Sequence, residues 1–214
     1  MCWNKDISIN TFCFSFFVLL LILYNNTYTQ YKIQFFSNIW VYLFFCSFIF
    51  IQLIEYFIWS NISNKRYNSL FSTIAILLIL IQPLASLMLI EGDNTVRRNM
   101  ILLYISLAIP FTIYQLYVQQ IYSTISVMGH LQWNSLLSNN MWLFFIWLFF
   151  FLFSFIYNRN FIGFATAIIL LLIIVYNFYY DQSICSMWCW IANSIMLFLA
   201  GYLLLYLPFT QTQL

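Results

Sequence analysis

The sequence predicts an all-α membrane protein, a bundle of seven transmembrane helices that forms one domain over residues 1–214. Hydrophobic residues make up 64% of the chain and charged residues 6%, which would leave a soluble protein of this size without a polar surface. Apolar stretches of about 20 residues, the length needed to cross the hydrocarbon core, recur along the whole chain. All seven lysines and arginines lie outside these stretches, as the cost of a cation in hydrocarbon requires.

Four of the predicted spans precede residue 119. The first span covers residues 8–24 and follows Lys5, an arrangement that also occurs in signal peptides. The "LYNNTYT" after it contains no small-residue cleavage site, so we expect this helix to be retained. The second, third and fourth spans are separated by clusters of polar residues and cover residues 39–59, 70–90 and 100–118.

Three further spans cover residues 141–157, 161–179 and 183–207. The run "FFIWLFFFLFSF" in the first of them has no alternation of polar and apolar residues, which favours helices over the strands of a membrane barrel. The longest stretch outside the spans is the connection of residues 119–140, so no second domain is expected.

Seven crossings place the two termini on opposite sides of the membrane, but charge separates the sides only weakly. Three cations fall on the amino-terminal side and four on the other. Because Arg97, Arg98 and Arg159 lie in very short connections, where the positive-inside bias is read most strongly, we expect a cytoplasmic carboxyl terminus. The sequence does not indicate which membrane holds the protein.

Glu55 is the acidic residue within a predicted span, and the other polar residues of the spans fall at a similar depth. When successive helices alternate in direction, these residues share the half of the bundle nearest the amino terminus. The opposite half contains scattered hydroxyls but no amide or acid. The predicted polar core, or ligand-binding set, consists of Gln52, Glu55, Tyr56, Trp59, Gln82, Tyr114, Gln115, Ser186, Trp188, Cys189, Trp190 and Asn193.

Helical spacing turns these residues towards the interior. Polar and aromatic residues recur at i, i+3, i+4 and i+7 from Gln52 in the second span and from Ser186 in the seventh. A carboxylic acid that faced lipid would cost several kcal/mol even when neutral. We therefore expect Glu55 to face the bundle interior and to meet Asn193, Gln82 or Tyr114, since no cation reaches its depth.

Two interpretations of this core stay open. The polar side chains fasten helices to one another by hydrogen bonds, or they line a cavity that is open to the amino-terminal side and closed towards the other. The connection of residues 119–140 is long enough to cover the mouth of such a cavity, and it contains the single histidine of the chain. We therefore regard His130 and Trp133 as candidate residues of a lid over the cavity. The simpler alternatives are that His130 is solvated and that Trp133 anchors the connection at the membrane interface.

Several kinds of site are not expected. The seventh span contains no lysine for a retinal Schiff base, and no Walker loop, G-x-S-x-G element or H-E-x-x-H pair occurs. The cysteines show no paired spacing, so neither a disulfide framework nor a metal site is predicted, and no cofactor is expected. The cysteines are Cys2, Cys13, Cys46, Cys185 and Cys189.

Five segments carry a family resemblance: "MCWNKDIS", "QLIEYFIW", "QPLASLML", "GHLQW" and "SMWCWIANS". Together they resemble an uncharacterised family of small seven-helix membrane proteins of large DNA viruses and some protists. The resemblance implies a viral or host membrane setting, and it supplies no activity, cofactor or catalytic residue.

Three function classes follow from the sequence. The first is a protein that binds or transports a small polar solute, a proton or a lipid headgroup in a one-sided cavity. The second is a membrane-embedded enzyme that uses Glu55 as acid or base, with Cys189 or His130 as a more distant candidate. The third is a structural or interaction protein of a viral or organellar membrane. Membrane lipids are expected partners, and nucleic acid is not.

Overall fold

The computed structural model describes residues 4–135, 140–181 and 183–211. Apart from one short β-hairpin the protein is helical, with 79% helix and seven helices in this part of the chain, as the sequence predicted. These helices are α1 (Lys5–Tyr28), α2 (Ile39–Ser60), α3 (Lys65–Leu87), α4 (Asn94–Val118), α5 (Met141–Tyr157), α6 (Phe161–Phe178) and α7 (Ile184–Gly201). A 3₁₀ turn at Gln34–Ser37 precedes α2, and α7 continues through a π-helical turn, Tyr202–Tyr206, into Leu207–Gln211.

Asparagine or aspartate side chains cap the starts of α1 to α6. Asn4 Oδ1 accepts from the Ile7 amide at 2.9 Å, and Asp93 Oδ1 accepts from the amides of Thr95 and Val96 at 2.8 and 3.0 Å. These bonds satisfy amides that have no partner inside the helix. Polar clusters between apolar runs therefore fix where the helices begin. Equivalent side-chain caps come from Asn38, Asn64, Asn140 and Asn160.

Six of the helices are long and apolar enough to cross a membrane: α1, α2, α3, α4, α6 and α7 with its continuation. These long apolar helices are compatible with an integral membrane protein. Helix α5 is apolar but has only 17 residues, which is at the lower limit of the length needed to span. Six of the seven predicted spans thus correspond to helices of spanning length. The remaining one, the fifth span, corresponds to the shorter apolar helix α5.

Helix α2 lies at the centre of the bundle and packs against α1, α3 and α7. In the apolar 18-residue segment of α2, 61% of the residues are buried, whereas in the corresponding segments of α4 and α6 only 11% are buried. Aromatic rings fill the contact between α2, α5 and α7: Phe151 lies with its ring centroid 5.7 Å from Phe44 and 5.5 Å from Trp188. Trp147 stacks on the same ring at 5.2 Å. Helices α4 and α6 form the periphery because most of their residues are not buried inside the bundle.

The predicted lid segment contains a β-hairpin that the sequence analysis did not predict. Strands β1 (Tyr122–Ile125) and β2 (Leu131–Asn134) pair antiparallel. The connecting turn has Gly129 at φ +80° and a bond from the Ser126 amide to the His130 carbonyl at 2.8 Å. A three-residue loop with glycine in the left-handed region is a common hairpin connection. Within the residues described for this segment, the connection is thus an ordered two-stranded element.

Candidate functional site

Glu55 lies at the contact between α2 and α7 and is 0% exposed. Gln52, one turn earlier on α2, donates from Nε2 to Oε2 of Glu55 at 3.0 Å. Ser186 of α7 donates from Oγ to Oε1 at 2.6 Å. The two carboxyl oxygens therefore each receive a hydrogen bond, one from the same helix and one from another.

Three more polar side chains, one from α3 and two from α7, extend this group. Gln82 of α3 donates from Nε2 to Cys189 Sγ at 3.8 Å. Asn193 donates from Nδ2 to the Cys189 carbonyl at 2.8 Å and to the Phe48 carbonyl of α2 at 3.2 Å. We call Gln52, Glu55, Gln82, Ser186, Cys189 and Asn193 the polar cluster; it joins α2, α3 and α7 in the interior.

The polar cluster is rich in acceptor oxygens. Gln52 Oε1, Gln82 Oε1 and Asn193 Oδ1 are buried and have no hydrogen-bond partner among the described residues. A buried acceptor without a partner costs about 1–3 kcal/mol. The lysines and arginines all lie in connections or in the first two turns of a helix. The cluster can thus accept hydrogen bonds or a proton, and the nearest stretches of α2, α3 and α7 supply no basic side chain.

The remaining predicted core residues are distributed differently. Trp188 is buried, but it packs into the aromatic contact with Phe151. Tyr56 is partly buried with its ring 5.4 Å from Phe57, and Trp59 and Trp190 are partly buried against the apolar core. None of these four residues is in the polar cluster.

Helix α4 does not bring its predicted residues to the cluster. Tyr114 is 58% exposed, so the expected contact with Glu55 is not formed. The reason is that α4 is a peripheral helix and turns Tyr114 outward. Gln115 is buried, but its Oε1 and Nε2 have no partner among the described residues, and it makes no bond to the polar cluster.

The hairpin is fixed to the start of α3 by two side chains. Asn68 Nδ2 donates to the Ser123 carbonyl at 2.9 Å, and Asn68 Oδ1 accepts from the Ser123 amide at 2.8 Å. The hydroxyls of Ser72 and Ser123 lie 2.7 Å apart. The hairpin therefore folds back onto the amino-terminal end of the bundle, which is the end where α1, α3 and α7 begin.

The hairpin turn also contacts the connection between α6 and α7. Asp181 Oδ2 accepts from Ser126 Oγ at 2.7 Å and from Ser183 Oγ at 3.0 Å. Its Oδ1 accepts from the Met128 amide at 3.4 Å. The His130 amide donates to Ser126 Oγ at 3.0 Å. Asp181 thus holds the turn and the start of α7 together.

Both lid candidates are buried in this arrangement. Trp133 is 2% exposed and points into the bundle, so it is not an interfacial anchor. His130 is buried with the edge of its ring against Phe178, at a centroid distance of 5.3 Å. Burial lowers the pKa of His130 below the ordinary value of 6.5, and the Asp181 carboxylate acts in the opposite direction. The histidine is thus held in its neutral form more firmly than a solvated one.

Two cavities lined by described residues lie away from Glu55. A groove of about 320 Å³ between α2 and α3 is lined mainly by apolar residues such as Leu43 and Ile81. A cavity of about 90 Å³ near Asn38 and Asn158 lies at the opposite end of the bundle from the hairpin. The predicted cavity around Glu55, open to the amino-terminal side, corresponds to neither of them.

Sequence reasoning missed Asp181 and the serines of the hairpin. These residues lie outside the spans or at their edges, and only residues inside spans were placed by depth. The usable signal was Asp181 itself, one of five acids in the chain and located between two apolar runs. In the described residues, no group of three or more His, Cys, Asp or Glu side chains could hold a metal.

Comparison of the chain with models of protein families, with curated proteins and with solved structures finds no match.

Proposed function

We propose that this is an integral membrane protein with seven crossings, in which Glu55 takes up a proton from the amino-terminal side and passes it across the membrane. The observation that carries the proposal is the environment of Glu55: a fully buried acid, hydrogen-bonded through both oxygens, at the contact of two helices. Ionisable residues inside a membrane are costly and commonly belong to ion or proton pathways.

A proton fits this site better than a solute or a lipid headgroup. Gln52 and Glu55 are each 0% exposed, so neither side chain borders a space that a water molecule could enter. A solute or a headgroup needs a volume next to the residues that bind it, whereas a proton needs only a lone pair and a hydrogen-bonded route.

The resting form of Glu55 in this proposal is the neutral acid. A buried carboxylate is strongly disfavoured unless a positive charge compensates it. The contacts to Ser186 and Gln52 are compatible with a neutral carboxyl, because a serine hydroxyl can donate or accept. An infrared carboxyl band that is present in the wild type and lost in Glu55→Gln would identify the protonated side chain.

The experiment is proton flux into liposomes that contain the purified protein and an internal pH-sensitive dye. We expect the wild type to dissipate an imposed pH gradient, and Glu55→Gln to lose this activity while it melts like the wild type. Gln keeps the shape of the acid but cannot release a proton. Glu91→Gln is the matched control because Glu91 is an exposed acid in the connection between α3 and α4, and it should leave the flux unchanged.

A second role, helix fastening, is favoured by the bond from Ser186 to Glu55, since this bond links α2 to α7. If fastening is the whole role, wild type and Glu55→Gln will both lack flux, and Glu55→Leu alone will lower the melting temperature. Equal flux in the wild type and in Glu55→Gln would contradict the proton proposal.

A further inference from the structure

The part of the chain that the structure describes contains a second buried acid, Asp181, which lies between the hairpin turn and the start of α7. We propose that Asp181, Ser183 and Ser186 form a proton relay to Glu55, with Asp181 as the group that exchanges protons with that end. The inference rests on the proposed proton-binding role of Glu55 and goes beyond it by naming the route and the entry group.

Asp181 has the environment of a relay group. It is 8% exposed, so its carboxyl is nearly removed from solvent but not sealed like that of Glu55. Its Oδ2 receives hydrogen bonds from Ser126 of the hairpin turn and from Ser183 at the start of α7. A carboxyl shared between a surface turn and an interior helix is well placed to take protons from one and pass them to the other.

Two serines connect Asp181 to Glu55. Ser183 is the residue that precedes α7, and its hydroxyl donates to Asp181 at 3.0 Å. Ser186 lies three residues later and its hydroxyl donates to Glu55 at 2.6 Å. Residues three apart at the start of a helix lie near one face of it. In the proposed relay, rotation of the two hydroxyls or one bridging water connects them.

Both serines are buried beside the acids that they serve. Alternative roles account for them less well. Ser183 immediately precedes α7 but makes no side-chain capping bond to that helix. Its hydroxyl points to Asp181 instead, although capping is the common use of a serine at a helix start.

The hairpin turn covers this entry. The Met128 amide and the Ser126 hydroxyl both donate to Asp181, and His130, whose pKa is lowered by burial, is the titratable neighbour on the turn. A hairpin anchored at Asn68 therefore sets how much water reaches Asp181. The lid function predicted for the connection acts, in this inference, on Asp181 and not directly on Glu55.

The transfer step conserves protons. The Asp181 carboxyl gives its proton to Ser183 Oγ, Ser183 passes its own hydroxyl proton to Ser186 Oγ, and Ser186 passes its own to Glu55. Each serine ends with one hydroxyl proton, Asp181 becomes a carboxylate and Glu55 becomes an acid. The reverse rotation of the hydroxyls resets the chain, and Asp181 recovers a proton from water at the hairpin.

The test measures hydrogen–deuterium exchange of the Glu55 carboxyl by infrared spectroscopy after a jump into D₂O, with the full-length protein in liposomes. This readout does not require net transport. The variants are Asp181→Asn and Ser183→Ala, and Asp93→Asn is the control because it changes an acid that caps α4 and Asn caps as well as Asp. We expect the two relay variants to slow the exchange about tenfold or more and the control to leave it unchanged.

The outcomes separate the two proposals. Unchanged exchange in both Asp181→Asn and Ser183→Ala, measured with variants that melt like the wild type, overturns the relay while the proton role of Glu55 stands. If Glu55 has no protonated carboxyl band at neutral pH, the relay is overturned as well. Flux that is lost in Glu55→Gln but retained in both relay variants shows that protons reach Glu55 by another route.

Discussion

Asn68 and Ser123, which are 55 positions apart in the sequence, exchange two hydrogen bonds in which the asparagine amide mimics a neighbouring strand. The side-chain oxygen accepts from the Ser123 amide, and the side-chain nitrogen donates to the Ser123 carbonyl. A two-stranded hairpin is at best marginally stable in water by itself. The start of α3 thus completes the pairing of β1.

Replacement of Asn68 by Ala should release the hairpin without unfolding the bundle. The change leaves the amide and the carbonyl of Ser123 without their partners, at a cost of about 1–3 kcal/mol. We expect faster hydrogen exchange and faster proteolysis between residues 122 and 134. Thr73→Ala is the control, because the Thr73 hydroxyl bonds to the Ser69 carbonyl within α3. Equal protection of the hairpin in both variants would contradict this anchoring role.

Ser186→Ala should destabilise the bundle because it removes the donor that links α7 to Glu55. Hydrogen bonds between membrane helices contribute about 0.6–2 kcal/mol each, and a lowering of that size is expected in the free energy of unfolding measured in detergent. Ser194→Ala provides the comparison on the same helix, since Ser194 is exposed and bonds to the carbonyl of Ile191. The prediction is wrong if the two variants unfold alike.

The helices were predictable because their signal is local. Apolar runs bounded by Asn and charged residues gave spans that match α1 to α7 within a few residues at most ends. The polar cluster was predictable in part, because 3.6-residue spacing placed Glu55 and Ser186 on interior faces. Their partnership was not predicted, since Asn193, Gln82 and Tyr114 were expected instead.

The failures come from tertiary packing that spacing does not encode. Tyr114 has the same depth as the cluster, but depth does not say which helices are central, and α4 is peripheral. The hairpin was missed because the connection was interpreted by its length, as a cover for a cavity, and not by its strand and turn residues. Its signals were Gly129 and the β-branched Thr124 and Ile125, which favour a strand followed by a turn.

Stability of the hairpin region should fall as the pH falls through about 6.5. Burial lowers the pKa of His130 in the folded protein, so the unfolded state binds more protons than the folded state below the ordinary histidine pKa. Stability therefore rises with pH across this window and is fully present above it. His130→Gln should flatten the dependence between about pH 7.5 and about pH 5.5, measured by hydrogen exchange of residues 122–134. An unaltered dependence in this variant would assign it to a group other than His130.

Seven crossings predict the side on which each connection is labelled by a membrane-impermeant thiol reagent. In a background without native cysteines, Val127→Cys in the hairpin turn should react on the side of an amino-terminal tag. Glu91→Cys and Arg159→Cys should react on the other side. Both positions are exposed, and Arg159 already has φ 55°, so cysteine adds no new backbone strain there. Reaction of Arg159→Cys on the amino-terminal side would show that the 17-residue α5 does not cross.

Gln82→Met should leave stability nearly unchanged or raise it, in contrast to Ser186→Ala. The Gln82 amide has a single described contact, a long bond of 3.8 Å to Cys189 Sγ, and its Oε1 is buried without a partner among the described residues. Methionine has a similar volume and no polar atom that needs a partner. The weak bond is lost and the unsatisfied oxygen disappears with it, so the expected change is within about 1 kcal/mol. Melting in detergent measures it. A loss of more than about 2 kcal/mol would show that Gln82 Oε1 has a partner in the membrane, and the carboxyl band of Glu55 in the same variant would show whether that partner is shared with Glu55.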